Sequence, residues 1–210
     1  MLVKTKGIVI KRIPYTDHSA VVHIYTEFSG LAAFLVQGLG KSKSKNAYYQ
    51  SGTTIEIVYT VKQSPGLMRI KEISALKNSI LPDSMNTQQI KFLYTEIISH
   101  CVHEHFPDPV FFQLVLTEFE KLNSADIKEL KYLPIKFILN ICRGLGYELD
   151  WQQFHTPIWM INALDELENQ KEILLNKDQR RLLLAEVLNQ LKFHAFPDKK
   201  LQSLEIFEAF

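Results

Sequence analysis

Apolar residues alternate with polar ones along roughly the first eighty positions, then recur at intervals of three and four. Alternation marks strands with one buried face, and the wider spacing marks amphipathic helices. Val3–Ile13, rich in Val and Ile, predicts a first strand broken by Pro14 and Asp17. Ala20–Thr26 and Leu31–Gln37 predict the second and third. Glu27-Phe28-Ser29-Gly30 between them reads as a hairpin turn in which Gly30 takes a positive φ. A polar stretch, Gly38–Gln50, precedes a fourth strand at Thr53–Val61. Its Ile55, Ile57, Tyr59 and Val61 fall on one face, and Thr54, Glu56 and Thr60 on the other. Ser64-Pro65-Gly66 is a turn and Leu67–Leu76 the fifth strand. Five short strands with a long connection after the third fit a small closed barrel.

The period changes around Pro82. Asn86 or Thr87 is placed to cap a helix carrying Ile90, Leu93, Tyr94, Ile97 and Ile98. Asp108-Pro109 starts a second, with Phe112, Val115, Leu116 and Phe119 on one side, since proline suits the first helical turn. A third spans about Asp126 to Arg143, kinked or divided at Pro134, with Gly144 and Gly146 as stops. Trp151–Leu175 reads as irregular or weakly helical. Asp178–Phe193 is a strong helix with Leu183, Leu184, Val187, Leu188 and Leu191 inward, and Leu201–Phe210 a short last one with Leu204 and Phe207 on one face. The expected architecture is α+β in the order β then α: a barrel domain over 1–80 and a helical domain over 81–210.

Charge sharpens this division. Up to Leu81 there are eleven Lys and Arg against four Asp and Glu, a net of +7; the remainder carries thirteen against nineteen, a net of −6. A basic barrel suits a polyanion, most naturally nucleic acid, and an acidic helical body suits protein docking or support. No apolar run approaches a membrane span, and the opening MLVKTKGIVIKRIP lacks a signal peptide's unbroken apolar stretch, so a cytoplasmic location is expected. Cys101 and Cys142 then read as buried thiols rather than a disulfide.

The segment Gly38-Leu39-Gly40-Lys41-Ser42-Lys43-Ser44-Lys45 carries most chemical weight. Its glycines let a ligand approach the backbone, and its lysines and serines suit phosphate oxygens. It is not a nucleotide-binding P-loop, because Leu35 stands where that motif's first glycine belongs. The plainer reading is a solvated loop. Lys4, Lys6, Lys11, Arg12, Lys62, Arg69 and Lys71 on neighbouring strands favour polyanion binding, since a barrel can gather several into one patch. Tyr15, Tyr48 and Tyr49 are candidates for stacking on bases, set against the alternative that such rings belong to the core. His100-Cys101-Val102-His103-Glu104-His105 is the one cluster with metal-ligand chemistry; a helix would set Cys101 and His105 one turn apart, but no second ligand pair stands at zinc spacing, and a polar helix end explains it as well. No nucleophile elbow, dinucleotide glycine fingerprint or paired Cys-x-x-Cys points to an enzyme.

Several segments together resemble the RecO family of bacterial recombination mediators. They are Lys4–Ile10 (K-x-x-G-I-V-I), Tyr15-Thr16-Asp17-His18-Ser19, Thr26-Glu27-Phe28-Ser29-Gly30, and Gln37-Gly38 followed by the basic Lys41–Lys45. Pro134–Leu145 ending in Gly146-Tyr147, and Leu201-Gln202-Ser203-Leu204-Glu205, extend the likeness over most of the chain. The resemblance implies an oligonucleotide-binding (OB) barrel followed by helices. It implies binding of single- and double-stranded DNA, annealing of complementary strands, and assistance to RecA on strands coated with single-stranded-DNA-binding protein (SSB), in a nucleoid-associated protein. RecR and the acidic, apolar-ended SSB C-terminal tail are the implied partners. The matching motif carries DNA contact to Lys41, Lys43 and Lys45; charge and position add Arg12, Lys11, Lys71 and Tyr15. An SSB tail needs apolar side chains and a cation, for which Arg143, Arg180 and Arg181 are candidates, although Arg180-Arg181 equally reads as a solvated pair. Many relatives carry a four-cysteine zinc site in the segment matching about Leu149–Leu175. This chain has only Trp151, Trp159 and His155 there, so no cofactor is expected. The competing reading is an interaction scaffold whose basic barrel binds an acidic protein.

Overall fold

The computed structural model describes residues 1–39, 46–61, 66–77, 79, 84–149, 151, 156–169, 171 and 173–204. Strands β1 (Leu2–Thr16), β2 (Ser19–Thr26), β3 (Gly30–Gln37), β4 (Thr54–Thr60) and β5 (Ile70–Ala75) form one antiparallel sheet in the order β3-β2-β1-β4-β5. The sheet closes on itself beside the start of β5. Phe34 and Met68 form a parallel bridge, with Leu35 N–H donating to Met68 O (2.8 Å) and Met68 N–H to Ala33 O (3.0 Å). Closure by a parallel contact between the third strand and the segment leading into the fifth gives the expected OB-type barrel. Alternation supplies its core: Val9, Val22, Ile24, Phe34, Ile55, Ile57 and Tyr59 point inward, and Phe34 meets Tyr59 edge-on at 5.2 Å. Thr54, on the face opposite Ile55 and Ile57, is also buried, and its N–H donates to Ser79 Oγ.

One local outcome differs from the sequence reading of β1. The strand runs through Pro14, which pairs with Ala20 on β2. Pairing with β4 covers only Leu2–Ile8, so the missing N–H of Pro14 lies on an edge that no ladder bond requires. A register shift between Val9 and Lys11 turns the strand as it leaves β4. The β2–β3 turn follows expectation: Gly30 sits at φ 64°, and an added Cβ would collide with the Phe106 carbonyl.

Among the described residues the helices are α1 (Met85–Cys101), α2 (Pro109–Ser124), α3 (Ile127–Leu130), α4 (Leu133–Gly144), α5 (Ile158–Glu168) and α6 (Lys177–Ala195). Ser84, not Asn86 or Thr87, caps α1, its Oγ accepting from Thr87 N–H at 3.1 Å. Asp108 caps α2 through Phe111 N–H (2.9 Å), with Pro109 in the first turn. The helix expected from Asp126 to Arg143 is divided: Asp126 and Glu129 form a capping box on α3, and Pro134 opens α4. Within Trp151–Leu175, read as irregular or weakly helical, the described residues hold the 11-residue helix α5. Of the last predicted helix, 203–204 are helical; Phe207, like Ser64 and Pro65 of the expected turn, lies outside the described residues.

The chain forms two compact units, Met1–Ser124 with Leu201–Phe210, and Ala125–Lys200. β5 ends at Ala75 and α1 begins at Met85, and the first unit runs past the expected domain boundary at 80 because α1 packs on β1 and α2 covers Tyr25 of β2. Tyr25 meets Phe112 at 5.4 Å, and its burial raises the phenol pKa. Leu201 and Ser203 return to the same unit, where the Glu96 carboxylate accepts from Gln202 N–H (2.8 Å) and Ser203 N–H (2.9 Å). In the second unit α4 packs on α6, and Ile138 and Ile141 of the one and Leu183, Val187 and Leu191 of the other are buried. Cys142 is buried there and its thiol is pushed up to about 12, which leaves it unreactive; Cys101 is half-buried, and neither forms a disulfide.

Candidate nucleic-acid interface

Beyond its register shift β1 pairs with β2 alone, and residues 11–16 are exposed. At this end of the barrel Arg12, Pro14, Tyr15, Thr16, Asp17 and Ser19, with Leu39 and Asn46, line a polar groove of about 480 Å³. Its walls are tied together. Thr16 Oγ1 and Ser19 Oγ share a hydrogen bond of 2.6 Å across the β1–β2 turn. The His18 carbonyl accepts from both Gly38 N–H (2.8 Å) and Leu39 N–H (3.2 Å), a geometry that Gly38 permits at φ 80°. Arg12 Nη1 donates to Asn46 Oδ1 at 3.4 Å.

Leu39 and Asn46 are the nearest described residues on either side of 40–45, and both line this groove. Lys41, Lys43 and Lys45 lie outside the described residues. Arg12 and Tyr15 do come together here, and Tyr15 is 67% exposed, so its ring is available for stacking. Tyr49 is not a stacking candidate: it is 6% exposed within the barrel core, and burial raises its phenol pKa. Tyr48 packs half-buried against that core. Lys11 is exposed opposite His23, outside the groove lining; burial of that ring, and secondly the Lys11 charge, lower the imidazole pKa. Lys71 is exposed on β5, which β4 separates from β1, and is also outside the groove lining. Lys4 pairs with Glu56 at 2.8 Å.

Residue-type reasoning missed Asp17, Asn46, Thr16 and Ser19 as groove walls. In sequence, Thr16, Asp17 and Ser19 stand out only as a strand break and a family likeness, and nothing in their composition brings Asn46 to them. The second unit holds another groove, of about 380 Å³, lined by Trp159, Ala163, Ile173, Leu174 and Leu175 with Glu166 at its side. Arg180 is beside it, donating through Nη1 to the Leu175 carbonyl. Arg181 is exposed, and Arg143 is committed to Glu168, its Nη2 2.5 Å from Oε1.

The histidine cluster does not have its expected helical register. α1 ends at Cys101, His105 adopts φ 59°, and its N–H donates to Leu31 O at 3.0 Å. Among the described residues no three His, Cys, Asp or Glu side chains are grouped to hold a metal. With two cysteines in the whole chain, neither in the 149–175 segment, the donors for a four-thiolate zinc site are missing. Among the described residues no helix is long and apolar enough to cross a membrane.

Residues 1–79 match the family described as recombination protein O N terminal. Across 99% of its length the chain is 27% identical to a DNA repair protein RecO of Flavobacterium psychrophilum, of which it covers 98%. It is 25% identical to the protein of that name from Prosthecochloris aestuarii over 73% of this chain and 58% of that one. With the protein of that name from Christiangramia forsetii it shares 27% over 79% and 69% respectively. An OB-type barrel at the N-terminus, followed by helices and matched in this way along the chain, leads to one conclusion: residues 1–79 match the RecO N-terminal family, and the chain as a whole is similar to DNA repair proteins of the RecO family.

Proposed function

We propose that this protein is a non-catalytic recombination mediator that grips single- and double-stranded DNA, anneals complementary single strands and assists RecA loading on SSB-coated DNA together with RecR. One observation carries the reading: the groove holding Arg12 and Tyr15 is bordered by Leu39 and Asn46, between which the sequence places three lysines. Cations there displace condensed counterions from two phosphate chains and lower the repulsion between strands. Stacking on Tyr15 holds a base out of the strand's own stack and leaves its neighbours free to pair. Neither step makes or breaks a covalent bond. Lys11 and Lys71 add positive field away from the groove.

The SSB tail is assigned to the Trp159 groove. Its apolar walls suit the tail's apolar end, while Arg180 and Arg181 supply the cations its acidic residues require. Arg143 is a weaker choice, being engaged by Glu168.

The test is annealing of complementary oligonucleotides coated with SSB. Wild-type protein is expected to accelerate it, and the variant carrying Lys41→Ala, Lys43→Ala and Lys45→Ala to lose most of that acceleration. A protein that binds an acidic peptide at physiological salt but accelerates no annealing would be the scaffold instead.

A further inference from the structure

The groove contains a carboxylate that phosphate binding does not explain. Asp17 is a wall of the same cavity as Arg12 and Tyr15, and a carboxylate repels phosphate. Ionised, it only accepts hydrogen bonds. The partner that suits it is a group with N–H donors, and the surroundings specify which. Arg12 Nη1 occupies one lone pair of the Asn46 amide oxygen, which orients that oxygen toward Arg12 and leaves the amide's two N–H donors for a ligand. The groove thus offers a double acceptor, a donor and an exposed aromatic ring within about 480 Å³, a volume in the range of small-ligand pockets.

Guanine presents the complementary edge: O6 accepts, and N1–H and N2–H donate side by side to the two oxygens of one carboxylate. Thymine sets two carbonyl oxygens around its single N–H and would turn them toward Asp17. We propose that the groove at the β1–β2 turn is a base-reading subsite that takes one unstacked guanine, with Asp17 on its N1–H/N2–H edge, Asn46 on O6, Tyr15 on its face and Arg12 toward the adjoining phosphate. This rests on the DNA-binding reading above and adds a preference to it. The subsite reads the edge that a Watson–Crick partner covers, so it favours single strands over duplex.

The experiment compares the affinities of wild-type protein for three 12-mers at one fixed salt concentration: all thymine, alternating thymine and guanine, and alternating thymine and inosine. Inosine lacks only the N2 amino group. The guanine strand is expected to bind about fivefold tighter or more than the thymine strand, the lower end of what a good bidentate base contact discriminates, with inosine between them. Asp17→Asn is expected to bring guanine and thymine strands within about twofold of each other. Equal affinity of wild-type protein for all three 12-mers, with salt-sensitive binding intact, overturns the subsite and leaves the parent reading standing. Failure to bind any of them overturns both. The inosine strand tests the idea on unaltered protein, whatever the variant does to the turn. A mononucleotide arm separates a base in a strand from a free ligand: GMP that competes at the oligomer's own concentration would make the groove a nucleotide site and overturn the strand-reading role.

Discussion

At the scale of single residues, the end of β1 and its turn bring an arginine, an exposed tyrosine and an aspartate to one groove, because β1 has left β4 on one side. The proposed subsite gives them separate tasks: Arg12 toward phosphate, Tyr15 toward a ring face and Asp17 toward a base edge. His23, across from Lys11, titrates against its surroundings. Burial first and Lys11 second disfavour the imidazolium, and Glu104 opposes them only in part, so the folded pKa lies below the ordinary 6.5. The unfolded chain takes up that proton near its ordinary value, so stability from neutral His23 is whole above that pH and is lost as pH falls through the folded value. Thermal unfolding between pH 7.5 and 5 should show a steeper fall in Tm for wild type than for His23→Gln. Parallel pH profiles would remove His23 from the account.

At the scale of elements, local signals settled what local chemistry determines. Strand alternation located all five strands, and Gly30 announced its turn because a positive φ beside the Phe106 carbonyl admits no side chain. Pro14 misled because tolerance of proline depends on which strand edge is unpaired, a tertiary fact. α5 read as no more than weakly helical because Pro157 precedes it with no side-chain cap, and its buried Met160, Ala163, Leu164 and Leu167 are diluted by exposed Ile158. The cap of α1 fell on Ser84, two residues before the nearest choice. Its Oγ receives Thr87 N–H, so Ser84→Ala should cost about 1 kcal/mol in denaturant unfolding, the usual value of a lost hydroxyl cap. An unchanged midpoint would show that α1 is held by packing alone.

At the scale of the whole molecule, the split of charge into a basic leading part and an acidic remainder was the strongest functional signal in the sequence. It indicated a polyanion partner, while the order of several short motifs indicated the family. The site itself was half legible. Lysines and an exposed tyrosine announce themselves by type, whereas a groove joining residues 12–19 to 39 and 46 exists only once the barrel has closed.

The account stands on cations at the groove neutralising a phosphate chain, and the salt dependence of affinity for single-stranded DNA measures that directly. The logarithm of the binding constant against that of salt has a slope of about −0.7 for each phosphate neutralised on a single strand. Replacing Lys41, Lys43 and Lys45 together by alanine should weaken binding and flatten the slope by about 2. The same affinity and slope in the triple variant as in wild type would contradict it.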